Sequence, residues 1–569
     1  MKKQEGYTLI FVLVTLAVVS TLALVVIGIN LQTKRSTEIR KTEVSISYEA
    51  RSLLNEGVAK LYNTFPTTRP VSADFKQQLE QLMYSPNTTT PVTYDSLLKK
   101  GTQSIGTYEY KLVTSANASV KDLDNVKIVE ITAIVSSHIS DQPELKRTYT
   151  QRVSLSTLPS FLYHVLGSEN QLTLNGAPSI KGNVFSTKPI RLSQIPLFSY
   201  KGTAYSPSIA GNWTAKPIIE GVINVSPPTP NPTLKPFEIC NTANKFCSES
   251  VSSWQDASEP ISSWLDASEL TRVVSTPYEF SSLNYLYSFI EYLHRHNLPI
   301  QESNIATVDK QIDVEKLRTA LPQTNGIKVL PITATSTVFD ESLTIDNPND
   351  NLLVTNASYT TPLSAILLDQ DIGFSESPLI LNGNLSIQSV RTLSNPLKIS
   401  RPLIVIGDLK ISGNVAFNTT IFVLGKTTID DANISSIENN SMVLLSKGEL
   451  LINRFDKFSQ ATNEIEAFLY SDAMTNNRIY TVGSNLSISG GLFTKGNLTI
   501  NTFRGSFTTT TNPTDLTEFV SRMRSSGDRQ QSRLQLNYDA NIIKNQLSSL
   551  PVTDRIHLYV EPPQRKDTQ

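Results

Sequence analysis

The chain has 569 residues, 18% of them charged, a formal net charge of −1 and two cysteines. That length supports several hydrophobic cores, and the near-neutral balance offers no basic stripe for phosphates, so nucleic acid is not favoured as a partner. Ser, Thr and Asn dominate the polar remainder while Lys and Glu are sparse, a balance that points to a β-rich exported protein.

From Tyr7 to Ile29 the sequence is apolar and carries no charge for 23 residues. A helix of that length crosses a bilayer core of ~30 Å. A secretory signal has a shorter apolar region followed by a small-x-small cleavage site. Here the glycine suited to processing, Gly6, precedes the run, so the run is expected to be retained. Lys2 and Lys3 lie before it and Lys34, Arg35, Arg40 and Lys41 after it, so basic residues alone do not orient it. From Gln32 to Phe65 no proline intervenes, and Ile39, Ile46, Ala50, Leu53, Leu54, Leu61 and Phe65 recur at helical spacing. Pro66 supplies the stop, and one helix from about Tyr7 to Phe65 would be on the order of 90 Å long.

A short basic leader ending in glycine ("MKKQEG"), then "YTLI", a charge-free run and an amphipathic continuation resemble the signal cut by prepilin peptidase in type IV pilins and pseudopilins. The resemblance covers about the first 65 residues and rests on Gly6, Tyr7, Thr8, Leu9 and Ile10. It implies cleavage after Gly6, a new amino terminus at Tyr7, a single-pass membrane subunit with an extracytoplasmic carboxy-terminal domain, and assembly with other pilins into a surface filament. Most members carry a glutamate five residues after the glycine, where it neutralises a neighbour's terminal amine; this chain has Phe11. That departure resembles the large tip pseudopilin of type II secretion and implies a tip position.

Beyond Pro66, "ADFKQQLEQLMY" suggests a short helix, and "GTYEYKLVTSA", "VKIVEITAIVSS" and "LKRTYTQRVSLS" alternate as three antiparallel strands from about Gly106 to Ser156. A long helix on such a sheet is the pilin-like arrangement. Further on, Gly383-Asn-Leu-Ser-Ile, Gly407-Asp-Leu-Lys-Ile, Gly425-Lys-Thr-Thr-Ile, Gly448-Glu-Leu-Leu-Ile and Gly496-Asn-Leu-Thr-Ile repeat a glycine-led pattern. Spacings near 18 to 24 residues suit one coil of a parallel β-solenoid. A β-sandwich is the rival, since Asn382-Gly383 is a hairpin dipeptide. "QLTLNGAPSIKGNVFST" has the same flavour, so the solenoid is expected to start before residue 204. The stretch to Val338 reads as an insertion, with a proline cluster, a duplicated "SSWQDASEPI" and "SSWLDASELT" bearing Trp254 and Trp264, and a helix "LNYLYSFIEYLHRHN".

The expected fold class is α+β with mostly β. The leader spans 1–6, the membrane and filament-core helix 7–65, the pilin-like head 66–158, the start of the solenoid 159–204, the insertion 205–337, the solenoid 338–510 and a cap 511–569. Cys240 and Cys247 can close a small disulfide loop in an oxidising compartment or remain two thiols. No P-loop, GxGxxG, HExxH, CxxC or GxSxG is present, and His294 and His296, two apart on a helix, are a poor metal pair. No catalytic, metal or cofactor site is therefore expected. The favoured function is a minor pilin-like subunit at the tip of a type IV pilus or related filament, be it a secretion pseudopilus or a competence filament, presenting the solenoid for assembly initiation or adhesion to a surface or glycan ligand. Its expected partners are other pilins, prepilin peptidase and the membrane. A membrane-anchored glycan-active enzyme on the solenoid wall is the alternative.

Overall fold

The structure is a computed structural model of the chain. It describes residues 5–65, 75–113, 126–200, 203–205, 216–226, 235–240, 254–274, 280–339, 350–453, 462–508, 514–539 and 550–566, with shorter breaks at 85–90, 96, 98, 101–102, 105, 138–144, 258–260, 268–270, 281, 527, 554 and 561–562. The chain divides into two compact units, one of Met1–Ser156 with Leu558–Gln569, the other of Thr157–His557.

In the first unit a single helix, α1, runs from Glu5 to Thr64. Its carboxy-terminal half buries Ile46, Ala50, Leu53, Leu54 and Leu61. These side chains pack on an antiparallel sheet ordered Thr93–Asp95, Thr107–Val113, Val126–Ser137 and Leu145–Ser156. The pairing is continuous, with Tyr110 opposite Ile131 and Ile131 opposite Gln151. A short helix, α2 (Phe75–Met83), adds Leu79 and Met83 to the buried set. The sheet does not end with the third long strand. Gln564–Lys566 pairs antiparallel with Thr148–Thr150, so the last described residues belong to this unit and not to a cap on the repeats. Two ion pairs hold that strand: Lys566 Nζ lies 3.6 Å from Glu130, and Arg565 lies 4.0 Å from Glu43.

The second unit is built from parallel ladders in which each circuit of the chain adds strands to the circuit before it. The glycine-led repeats supply one ladder: Ile387, Ile411, Ile429 and Ile452 stand in register, followed by Ile479 and Ile500. All six are buried, whereas Ser386, Lys410 and Thr428 between them face out. The glycines themselves stack. A Cβ on Gly407 would sit 2.4 Å from the carbonyl oxygen of Gly383, one on Gly425 2.5 Å from that of Gly407, and one on Gly448 2.4 Å from that of Gly425. Close approach of successive turns, rather than a special φ, is what requires glycine there.

A second ladder carries Leu381, Val405 and Val423 and then, on five successive circuits, Ser446, Ser471, Thr494, Ser168 and Ser186. These hydroxyls are buried, and each donates to a main-chain carbonyl: Ser446 to Gly425 and Gly448, Ser471 to Gly448, Thr494 and Ser168 to Gly496, Ser186 to Lys188. They occupy inward positions that valine fills elsewhere, and they satisfy turn carbonyls that would otherwise be buried without a donor. A third ladder stacks Val415, Ile434, Ile465, Ile488, Leu536, Ile180 and Ile219.

The order of circuits in space differs from their order in sequence. Leu166–Ser168 pairs with Leu492–Thr494, and Leu172–Gly176 with Leu498–Thr502. The first circuit therefore lies inside the stack. From it the chain runs outward through Ile190–Ser193 to Arg272–Val274, crosses back, and begins again at Ile327–Ile332, from which the later circuits return to the first. Residues expected to form an insertion contribute strands to the ladders at Ile218–Glu220, Val222–Val225 and Asp266–Ala267. Apart from Trp254–Asp256, which pairs antiparallel with Phe237–Cys240, the described neighbours in these ladders are parallel, whereas a hairpin-built sandwich would make them antiparallel.

The crossing segment contains α3 (Tyr285–Arg295), α4 (Glu302–Ile305) and α5 (Val314–Ala320). Asn284 and Asp313 cap α3 and α5 by accepting main-chain N–H groups. α3 covers the outward apolar column of the second ladder, Ile404, Phe422 and Leu445, with the Tyr292 and Phe289 rings 4.7 and 5.4 Å from that of Phe422. Tyr285 Oη bonds to the carbonyl oxygens of both Val423 and Leu445 at 2.9 Å. This cover explains why strands such as Leu403–Val405 are buried on both faces.

Candidate functional site

The amino-terminal half of α1 is the most distinctive surface of the first unit. From Ile10 to Lys41 every residue is exposed; Ile10 is 63% and Phe11 72% accessible. This half is long and apolar enough to cross a membrane, with a mean hydropathy of 3.0 over its most apolar window. Among the described side chains, Thr15 donates to the Phe11 carbonyl at 2.7 Å, Thr21 to that of Ala17 at 3.0 Å and Thr33 to that of Ile29 at 2.8 Å, all within the helix. Such internal pairing is what a hydrocarbon surrounding demands of a hydroxyl.

The other half of the helix is fixed to its sheet. Tyr110 donates to the Gly57 carbonyl at 2.8 Å, and a Cβ on Gly57 would lie 2.9 Å from Ile131, so the glycine permits the close approach. Lys60 Nζ sits 3.3 Å above the Tyr94 ring, and Glu43 pairs with Arg147 at 3.1 Å. Val44 and Tyr48, one turn apart, point away from the sheet and are 70% and 79% exposed.

Gly6, Tyr7, Thr8 and Leu9 fall within α1, but their side chains, like residues 1–4, lie outside the described set. Ile10 and Phe11 are exposed on the same helix, so Phe11 meets no described charge that it would have to accommodate. Cys240 is buried at the end of the strand Phe237–Cys240 and is disulfide-bonded; Cys247, the other cysteine of the sequence, lies outside the described residues. Trp264 is buried in the main core of the second unit, and Trp254 is partly buried against it, 5.3 Å from the Arg191 guanidinium. His294 is exposed and bonds to the Ile300 carbonyl at 2.9 Å. Among the described residues no group of three or more His, Cys, Asp or Glu side chains is placed to hold a metal ion.

Sequence reasoning missed one cluster. The residues after the first four of the five hydroxyls of the second ladder form a column of alternating charge on four successive circuits: Lys447, Asp472, Lys495 and Glu169. Lys495 Nζ lies 3.0 Å from Asp472, Tyr470 Oη is 3.4 Å from the same carboxylate, and Ser282, from the crossing segment, donates to Glu169 at 2.5 Å. Burial raises the Glu169 carboxyl from 4.5 to about 7, with Ser282 and Lys495 pulling the other way. Burial likewise raises Asp472 and lowers Lys447. Close by, His164 is pushed down to about 4 by burial among Phe185, Phe280 and Phe493. Lys447, Asp472 and Lys495 follow one another at about the repeat spacing, but Glu169 belongs to a circuit far earlier in the chain, and no periodicity in the sequence joins it to them.

No family model matches the chain, and no curated protein matches it. Among solved structures, the competence-associated pilin ComZ from Thermus thermophilus aligns over 92% of this chain and 97% of its own, at 10% identity and a TM-score of 0.23. A similarity of that size assigns neither fold nor function.

Proposed function

We propose that the chain is a minor pilin-like structural subunit of a type IV pilus or related surface filament, sited at the tip. The observation that carries this reading is the division of one helix: a half with every described side chain exposed, free of charge from Tyr7 to Thr33, continuous with a half buried against an antiparallel sheet. A plain anchor needs only the length of the bilayer core. In this reading prepilin peptidase removes residues 1–6, the apolar helix holds the subunit in the membrane before assembly, and Thr8 to Phe11 then join the shared apolar core with other pilins.

Phe11 offers no carboxylate to a neighbour's terminal amine, and an unpaired charge in an apolar core is costly. A position with no such neighbour suits it. The second unit, read as a β-solenoid head inserted between two parts of the pilin-like unit, is too large to repeat at every step of a shaft. It is presented for assembly initiation or for adhesion.

Co-expression with a prepilin peptidase should remove six residues and leave the helix attached, and Gly6→Val should block that cut. Immunogold labelling of sheared filaments should place the protein at one end. Label spread evenly along the shaft would refute the tip position, and an intact Met1 in filament-associated protein would refute the processing.

A further inference from the structure

On the outer face of the third ladder lies an open groove of about 650 Å³ whose lining is mostly polar. Its floor is a column, with Glu466, Ser489 and Asn537 in register on three successive circuits. One wall is the turn Ile437–Asn440, in which Glu438 (φ 53°) and Asn439 (φ 64°) are both left-handed, so that Asn439 borders the groove. The other wall is Tyr538 and Asp539.

Two of these groups are held in place. Glu466 accepts the Ser436 main-chain N–H at 2.6 Å, which fixes its carboxylate. Tyr538 donates to the Leu162 carbonyl at 3.0 Å, meets the Phe468 ring edge-on at 6.3 Å and packs its ring against the core of the unit, so it braces this wall from behind. The groove thus combines an oriented carboxylate with short amide and hydroxyl side chains, a set that suits a ligand carrying many hydroxyls.

Charge narrows the class. Glu466 and Asp539 are among the lining residues and no Lys or Arg is, so phosphate, sulfate and uronate groups are repelled. The floor repeats at the strand spacing of about 4.8 Å, close to the length of one pyranose unit, so a linear chain laid along the stack meets a polar group at each step. We propose that this groove binds a linear neutral glycan, with Glu466 accepting hydrogen bonds from sugar hydroxyls and Asn537 and Ser489 accepting and donating them. This inference deepens the adhesion reading and rests on it for its biological role, but binding itself is measured without any filament.

The test uses the full chain in detergent micelles, titrated calorimetrically with cellohexaose, chitohexaose and maltohexaose, and with polygalacturonate as the acidic comparison. At least one neutral hexasaccharide should bind, with Glu466→Gln and Asn537→Ala each weakening it at least tenfold at unchanged melting temperature. Ser489→Leu, which fills the floor without touching the core, should abolish binding. No binding of any neutral hexasaccharide, equal binding of polygalacturonate, or indifference to all three substitutions would overturn the proposal. Filament location, scored on the same variants by labelling, tells its failure from that of the filament reading: variants that reach the tip without binding sugar leave the latter intact.

Discussion

Glu169 and His164 should act against each other in the pH dependence of the second unit, which removal of either should steepen. Burial raises Glu169 from 4.5 to about 7. Its folded form therefore holds a proton that the unfolded chain releases, and the associated stability is present below pH 4.5 and lost as pH rises toward 7. His164 is lowered from 6.5 to about 4, so its contribution is present above pH 6.5 and lost as pH falls toward 4. Each difference is worth at most ~3.4 kcal/mol, and about 2 kcal/mol once the partial exposure of Glu169 and relaxation around both groups are allowed for. Between pH 4.5 and 6.5 these two slopes oppose, as do those of Asp472, raised by burial, and His296, lowered by burial, so the wild-type curve should be flatter than that of either variant. Glu169→Gln should leave a stability that rises by about 2 kcal/mol from pH 4.5 to 6.5, and His164→Phe one that falls by a similar amount. The assay is urea unfolding followed by tryptophan fluorescence, because all three tryptophans, Trp213, Trp254 and Trp264, fall between Thr157 and His557 and report that unit alone. A Glu169→Gln curve as flat as the wild type would refute the assignment of a buried, proton-holding carboxyl.

The stacked glycines give a second expectation. Gly425→Ala must displace main-chain and Asp408 atoms that lie within 2.3 to 2.6 Å of the new methyl group, and should cost more than ~2 kcal/mol, whereas Gly373→Ala, with nothing within 4 Å, should cost less than ~0.5; the same unfolding assay reads both. Ile411→Asp, which buries a charge in the core, should cost more than ~3 kcal/mol. Lys410→Asp should cost only about 0.5–1 kcal/mol, for the lost pairing with Asp430 at 3.5 Å and the repulsion that replaces it. In labelled filaments, Phe11→Glu should shift label from the tip into the shaft if the missing carboxylate sets the position, and leave it at the tip if head size does.

Local pattern was enough for much of the chain. The charge-free run and the helical spacing from Ile39 to Phe65 depend only on residues within a turn or two, and they account for α1. The alternation of "VKIVEITAIVSS" accounts for its strand in the same way. The glycine-led repeats placed Ile411 inward and Lys410 outward, because a strand's period of two is a property of the strand itself. Of the expected processing and filament residues, the sequence remains the whole basis for Gly6 to Leu9.

Tertiary structure decided what joins to what. Asn175 donates to Asn501 at 3.0 Å across 326 positions, and nothing in either stretch names the other. A parallel ladder is closed by main-chain hydrogen bonds that any sequence can make, so the place of the first circuit inside the stack depends on side chains that meet only after folding. Gly167 leaves room for the Phe493 ring, the hydroxyls of Ser168 and Thr494 share the Gly496 carbonyl, and Glu169 follows Lys495 in the charge column. The helices of the crossing segment are amphipathic in sequence, but what they cover was set by an apolar column assembled from separate circuits. The strand Gln564–Lys566 is short, polar and exposed, and its sequence carries no strand signal. It exists because Leu145–Ser156 offers it an open edge and Glu130 and Glu43 attract its basic side chains, an arrangement that only the folded first unit creates.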